Sequence, residues 1–155
     1  MVIAEVSPLL DTSPDLLELR HRRLGSALPQ LVAVARERGA LVHPELVLAQ
    51  LARRERIGST SLGRGLAVTG AWSLCVRAPR VVVGISSRGL EWDAEDEAPV
   101  HVVACVFTPG ASPEALHLRR VEGVVAALRL QRTRQRLLER RDPALLEQWL
   151  RDLPR

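Results

Sequence analysis

The sequence predicts an α/β domain in which helices cover both faces of a central sheet. Two segments carry this prediction, 81–85 and 100–107, because both are continuous runs rich in β-branched residues rather than alternating ones. Strands that are buried on both faces have this pattern. Segments with helical periodicity precede and follow the two runs, and this order indicates a three-layer α/β/α architecture.

The N-terminal third is predicted to be helical. Residues 1–25 are expected to form an arm with a short helical stretch near Leu16–Leu24. A helix follows over 26–38, with apolar residues at i, i+3, i+4 and i+7, and Gly39 can end it. Pro44 suits the first turn of another helix, which is predicted to run to about Glu55.

The middle of the chain supplies the strands. A glycine-punctuated loop at 58–65 leads into a short apolar strand at 66–68. The segment 89–99 separates the two continuous runs. It holds five carboxylates and Trp92, so it is predicted to be an exposed connection.

Three helices are predicted for the last third. Ser112-Pro113-Glu114 has the composition of a helix start, with Ser112 as the cap, and that helix is expected to reach about Leu130. Another helix is predicted at 133–139. Asp142-Pro143 opens the last one, whose apolar residues form a single face.

Length and composition fit one domain over residues 1–155 in the cytoplasm. No apolar run approaches the roughly 20 residues of a membrane span, and no signal peptide is recognised. Cys75 and Cys105 stand in apolar contexts without metal-ligand spacing, so we expect two small core residues in a reducing compartment. The four histidines are isolated from one another, and neither a metal nor a cofactor is predicted.

The net charge of +4 comes from 22 basic residues, all of them arginine. Dense clusters occur at 20–23 and 129–141. They form either a solvated helix face or a face that contacts phosphates. Since the chain has no tyrosine and one phenylalanine, a stacking platform for single strands is absent. We predict only weak, strongly salt-dependent binding to nucleic acid.

The segment Gly58–Gly65 has the glycine spacing of a phosphate loop but not its chemistry. Such a loop continues with lysine and then serine or threonine, which reach the phosphates and the magnesium ion. Here Arg64 and Gly65 occupy those positions, and a helix precedes the loop instead of a strand. Nucleotide binding is therefore not predicted.

The same region carries a family resemblance. Residues 54–68, RERIGSTSLGRGLAV, resemble the characteristic segment of the fructose/mannitol and nitrogen-regulatory enzyme IIA family of the bacterial phosphotransferase system. The resemblance spans about 26–153 and continues through four shorter pieces, at 90–93, 99–100, 108–109 and 117–118. It implies a mixed sheet between helical layers. It also implies an activity, in which a histidine accepts a phosphoryl group from a small phosphocarrier protein. The group passes to a sugar-permease domain, or the phosphorylation state serves as a signal.

The sequence departs from the family at its central residue. The family follows its Gly-Ile/Leu-Ala-Ile/Val strand with proline and the phosphorylated histidine, whereas Thr69 and Gly70 stand here. Glycine has no nucleophile, so no phosphohistidine can form at that position. The Thr69 hydroxyl would need an adjacent base to react.

The resemblance implies a residual pocket. His117 matches a second family histidine that helps to hold the phosphoryl group, and Arg54 matches an arginine near the same place. Each has a purely structural alternative: a partly buried histidine bonded to backbone, and a solvated charge at a helix end. The small residue at position 70 is expected to leave room for an anion or a partner's side chain. The residues assigned to this pocket are Arg54, Ser59, Thr60, Thr69, Gly70 and His117.

Three functional hypotheses follow. The first is a regulatory IIA-like protein that has lost its phosphorylatable histidine and binds a protein partner, such as a phosphocarrier protein, a permease domain or a regulatory target. The second is an active phosphocarrier that uses His117 or another acceptor. The third is an anion- or nucleic-acid-binding module built on the arginine clusters.

Overall fold

A computed structural model describes residues 13–20, 22–92 and 96–152. Most of the predicted arm (1–12), His21 and Asp93 lie outside the described residues. The strands are β1 (Asp15–Glu18), β2 (Ser61–Gly63), β3 (Leu66–Ser73), β4 (Arg80–Leu90) and β5 (Val100–Pro109). The helices are α1 (Leu24–Glu37), α2 (Pro44–Ile57), α3 (Glu114–Leu128), α4 (Gln131–Arg140) and α5 (Pro143–Arg151).

The strands form one mixed sheet in the order β1-β4-β5-β3-β2. β4 and β5 are antiparallel, while β1 pairs with β4 and β3 pairs with β5 in parallel. The short antiparallel strand β2 borders β3 at one edge. Both strands predicted from continuous apolar runs, β4 and β5, therefore lie inside the sheet, which confirms the prediction.

Two cores, one on each face of the sheet, explain why those runs do not alternate. Val103, Cys105 and Phe107 of β5 belong to the core beneath α1 and α2. Their neighbours Val102, Ala104 and Val106 belong to the core beneath α3, α4 and α5. Because successive strand residues point to opposite faces, a strand covered on both sides must be apolar throughout. The predicted three-layer α/β/α architecture is confirmed.

The short helical stretch expected near Leu16–Leu24 is wrong for the described residues. Asp15–Glu18 form the edge strand β1, which runs parallel to β4, and the pairing continues with the Leu19 amide donating to the Ile85 carbonyl at 2.8 Å. Asp15 is held by Arg80 at 2.7 Å and Arg38 at 3.0 Å. The unpaired edge of β4 and these ion pairs outweigh local helix propensity, which is a weak determinant.

The connection at 89–99 is only partly exposed, contrary to the prediction. β4 extends to Leu90, which pairs with Val100 after a register shift. Leu90 is completely buried and Trp92 is 6% exposed, whereas Asp96, Glu97 and Pro99 are exposed. The aromatic ring thus joins the core beneath α1 and α2 instead of the solvated loop.

The predicted helices match closely, with one corrected cap. α3 begins after Pro113 without a side-chain cap, and the Ser112 carbonyl instead accepts from the Trp72 indole at 2.9 Å. At α5, the Asp142 carboxylate does accept from the Ala144 amide, at 2.9 Å.

Both cysteines are unpaired, and burial raises the pKa of the Cys105 thiol. Among the described helices, none is both long and apolar enough to cross a membrane.

Candidate functional site

The glycine-rich segment at 58–65 forms a β-hairpin rather than a phosphate cradle. β2 and β3 are joined by a tight turn in which Gly63, Arg64 and Gly65 all have positive φ, of 80°, 54° and 86°. The Arg64 amide donates to the Asp96 carboxylate at 2.8 Å. That bond is the main cause of the lowered pKa of Asp96. The hairpin positions β3, and therefore also Thr69 and Gly70, which come directly after the segment that resembles the family.

Gly70 and His117 lie against each other at the centre of the candidate site. Gly70 is the fifth residue of β3 and is paired with Val106 of β5, while His117 lies in the first turns of α3. A Cβ atom built on Gly70 would lie 2.9 Å from Cε1 of His117 and 2.7 Å from the Val106 carbonyl oxygen. The expected room beside position 70 is therefore absent, because the imidazole and a backbone carbonyl occupy it.

The His117 ring is held in one orientation. Its Nδ1 shares a hydrogen bond of 2.7 Å with the hydroxyl of Thr108, which is completely buried. The pKa of His117 is lowered, first by burial and then by the Arg120 guanidinium, while Glu114 opposes the shift. The ring is therefore neutral at neutral pH, with Nε2 directed towards Gly70 rather than Thr108.

Thr69 lies on the other face of the sheet. Gly70 faces α3, and because side chains alternate along a strand, Thr69 points towards α1 and α2. It is 3% exposed, and its hydroxyl has no hydrogen-bond partner among the described residues. The structure therefore separates Thr69 from His117, although the two were assigned to the same pocket.

Arg54, Ser59 and Thr60 form the connection between α2 and β2. Arg54 is exposed and donates to the Gly58 carbonyl at 2.6 Å, which caps the end of α2. The Ser59 hydroxyl accepts from the Ser61 amide at 3.2 Å. Thr60 is buried, and both its amide and its hydroxyl donate to the Glu55 carboxylate. Within the described residues, none of the three has a hydrogen bond to His117, whereas Gly70 and His117 are in direct contact.

A comparison with protein families decides the identity of the fold. The model described as "Phosphoenolpyruvate-dependent sugar phosphotransferase system, EIIA 2" matches residues 18–152, nearly all of the chain. The chain belongs to this EIIA type 2 family. The sequence resemblance and its implied fold are thereby confirmed.

Curated relatives of this EIIA chain include fructose-type components. It is 32% identical over 89 residues to the fructose-like EIIA component of Escherichia coli K12, a match that covers 57% of this chain and 60% of the relative. It is 27% identical over 113 residues to the fructose-specific EIIA component of Haloferax volcanii, covering 73% of each. The match to the fructose-specific EIIABC component of Bacillus subtilis covers only 21% of that longer protein.

Solved structures show the same fold at low sequence identity. The nitrogen regulatory protein IIA-Ntr of Neisseria meningitidis superposes with a TM-score of 0.77 at 20% identity, covering 92% of this chain and 94% of that protein. IIA mannitol of Escherichia coli gives 0.72 at 17% identity, covering 88% and 95%. The latter protein has also been solved in complex with phosphorylated enzyme IIB mannitol, with a TM-score of 0.71 at 16% identity, covering 88% of this chain and 93% of the matched chain.

The sequence analysis assigned no role to two residues of this EIIA site. Thr108 ends the buried run of β5, and only its place in the family resemblance drew attention to it. Arg120 follows His117 by three residues on α3, so it lies on the same side of the helix. Arg120 is 4% exposed, and its three-residue spacing from a candidate histidine on a predicted helix is a signal that the sequence offered.

Three exposed apolar side chains lie on or directly beside the elements that carry Gly70 and His117 in this EIIA, and we call them the apolar rim. Trp72 lies two residues beyond Gly70 on the same face of β3 and is 37% exposed, although its indole bonds to Ser112. Leu118 follows His117 directly and is 52% exposed, and Leu74 is 85% exposed beside Gly110. Large apolar side chains that form a contiguous exposed patch are typical of protein-binding surfaces.

Proposed function

We propose that this EIIA is a regulatory member of its family, which binds a protein partner without itself accepting a phosphoryl group. The observation that carries the proposal is the contact between Gly70 and His117. Position 70 has no nucleophile, and the backbone carbonyl of Val106 leaves no space for a side chain there. Phosphoryl transfer requires an acceptor in line with the donor, and this position supplies none.

The partner would dock on the apolar rim formed by Trp72, Leu74 and Leu118. Trp72 lies on the same strand as Gly70, Leu118 follows His117 on α3, and tryptophan is enriched among the residues that dominate the energetics of protein interfaces. The complex of IIA mannitol with phosphorylated enzyme IIB supports a partner from the phosphotransferase system. We accordingly place this function in the cytoplasm, with no cofactor.

The absence of phosphorylation can be measured by intact mass. The protein is incubated with phosphoenolpyruvate, enzyme I and the phosphocarrier protein, and an EIIA with its histidine is the positive control. The mixture is analysed without acid because phosphohistidine hydrolyses at low pH. We expect the control to gain one phosphate and this protein to gain none. Stoichiometric phosphate on this protein would contradict the proposal.

A second candidate function is a phosphocarrier that uses His117. It is favoured by the lowered pKa, which keeps the imidazole neutral, and by the Thr108 hydrogen bond, which engages Nδ1 and not Nε2. The same experiment separates the two functions. Phosphate uptake that is lost in His117→Gln would establish His117 as the acceptor, whereas uptake that persists would point to another residue.

Partner binding is tested on the apolar rim. Leu118→Asp is expected to weaken binding to the phosphocarrier protein or to an EIIB domain by at least about tenfold, because a charge would be buried at the interface. Leu62→Asp is the matched control, since Leu62 is 54% exposed but lies on β2. Binding of both domains is measured by calorimetry for the wild type and the two variants. Equal binding by all three proteins would exclude the rim as the docking surface.

A further inference from the structure

The surface of α4 carries a regular stripe of arginines. Arg132, Arg136 and Arg140 are exposed and follow one another at four-residue intervals. Their α-carbons are therefore about 6 Å apart along the helix axis. Between 129 and 141 the chain holds six arginines and one glutamate, so positive charge is concentrated here rather than spread over the molecule.

The fold extends this stripe with arginines from two other places in the chain. The buried guanidinium of Arg134 donates to the carbonyls of Leu128 at 2.7 Å, Arg129 at 2.8 Å and Arg64 at 2.8 Å. Arg64, in the β2–β3 turn, is thus brought next to Arg129, at the junction of α3 and α4. We call the exposed set the arginine face: Arg64, Arg129, Arg132, Arg136 and Arg140.

The charges of the arginine face are not neutralised within the described part of the chain. None of its five side chains forms an ion pair with a described carboxylate. The Asp96 carboxylate accepts from the backbone amides of Arg64 and Ala98 but forms no ion pair with the Arg64 guanidinium, and Glu139 is the one acid on α4. The face is therefore a patch of net positive charge that is open to an external anion.

Local stability does not explain Arg132 or Arg64, although the helix dipole favours Arg140 in the last turn of α4. Like charges at four-residue spacing destabilise a helix, and Arg132 stands in the first turn of α4, where the helix dipole disfavours a cation and no acid offsets it. Arg64 adopts a positive φ of 54°, which glycine or asparagine would adopt at lower cost. Exposed charged residues at positions where they destabilise the local structure are candidates for a function in binding.

We propose that the arginine face binds an acidic helical segment of a protein partner, with carboxylates at four-residue intervals. Arginine pairs with carboxylates through two parallel hydrogen bonds, and equal spacing on two helices allows several such pairs to form together. The face contains no aromatic residue on which nucleic-acid bases could stack. Leu137 of α4 is buried and Leu138 partly so, which leaves α4 no apolar stripe for insertion into a lipid surface.

The test uses a fluorescent helical peptide with glutamate at every fourth position in an alanine-rich background, titrated at low salt. The triple variant Arg132→Gln/Arg136→Gln/Arg140→Gln is expected to bind it roughly tenfold more weakly than the wild type, if each pair contributes as surface ion pairs do. The matched control Arg36→Gln/Arg53→Gln/Arg77→Gln removes three exposed arginines from elsewhere and should retain most of the affinity. Circular dichroism verifies that all three proteins are folded.

Two results would overturn the proposal. Equal loss in both triple variants would show that net charge alone attracts the peptide. The protein could instead bind single-stranded DNA or polyphosphate through the same three arginines and fail to bind the peptide. That result would assign the face to phosphate polymers. A scrambled peptide of the same composition should bind more weakly, because the proposal requires carboxylates at four-residue intervals.

Discussion

Replacing Gly70 with alanine is expected to lower the free energy of unfolding by about 1–3 kcal/mol, the usual cost of overpacking a filled site. The new Cβ would lie 2.7 Å from the Val106 carbonyl oxygen, a backbone atom that cannot move without distorting β5. It would also lie 2.9 Å from the His117 ring. Urea denaturation of the wild type and of Gly70→Ala measures the difference in their free energies of unfolding.

Gly25→Ala is the matched control for this substitution. Gly25 lies in the first turn of α1, where an added Cβ meets nothing within 4 Å and φ is not positive. That variant should be neutral or slightly more stable, since alanine is the better helix former. If Gly70→Ala were as stable as Gly25→Ala, β5 would have moved at little energetic cost, and the site would not be closed to a side chain.

The double variant His117→Ala/Gly70→Ala separates the two contacts. Removing the imidazole relieves the contact at 2.9 Å but leaves the one with Val106, so we expect Gly70→Ala to cost less in the His117→Ala background than in the wild type, but still to destabilise. The space beside position 70 is therefore not empty, and restoring the family pair of proline and histidine at 69–70 would require the surrounding structure to move. A proline at 69 would lack the backbone N–H that Thr69 has, and the regular pairing of β3 with β5 would have to change.

Arg134→Ala is expected to cost about 3–5 kcal/mol, the largest effect predicted for a single substitution in this protein. Arg134 is 5% exposed, and its guanidinium donates hydrogen bonds to three carbonyl oxygens, those of Leu128, Arg129 and Arg64. Its loss would leave these acceptors without a charged donor at the end of α3. It would also release the β2–β3 turn, which is far away in the sequence.

Arg136→Ala provides the comparison, because Arg136 lies two residues further along the same helix but is exposed. Its effect should stay within about 0.5 kcal/mol, as for most surface substitutions. Chemical denaturation of both variants, with Arg134→Lys as a third, measures the difference. Retention of stability in Arg134→Ala would mean that water replaces the guanidinium at all three carbonyls.

Hydrophobic patterns predicted the architecture well because they record burial directly. The unbroken runs of β4 and β5 indicated burial on both faces, and the periodicity of α1 and α2 located both helices. Prediction failed where a segment takes its structure from a distant neighbour. Asp15–Glu18 became β1 because the edge of β4 and the arginines at 38 and 80 were available. Trp92 was assigned to a solvated loop because its acidic neighbours obscured a single large apolar side chain.

The candidate site was predicted in composition but not in arrangement. The sequence identified Gly70 and His117, and the structure brings these two together. The sequence analysis placed Thr69 in the same pocket, although alternation along a strand already implies that neighbouring side chains face opposite sides. Thr108 could not be recognised from local pattern, because its role depends on the packing of α3 against β5.

By itself, the sequence determined the three-layer architecture and the absence of a nucleophile at position 70, because hydrophobic periodicity and side-chain chemistry are local properties of the chain. Only the tertiary structure decided that position 70 is closed by His117 and Val106, and that Arg64 joins the arginines of α4. Both depend on distances between residues far apart in sequence. Such distances are set by how helices pack on the sheet, which no local pattern encodes.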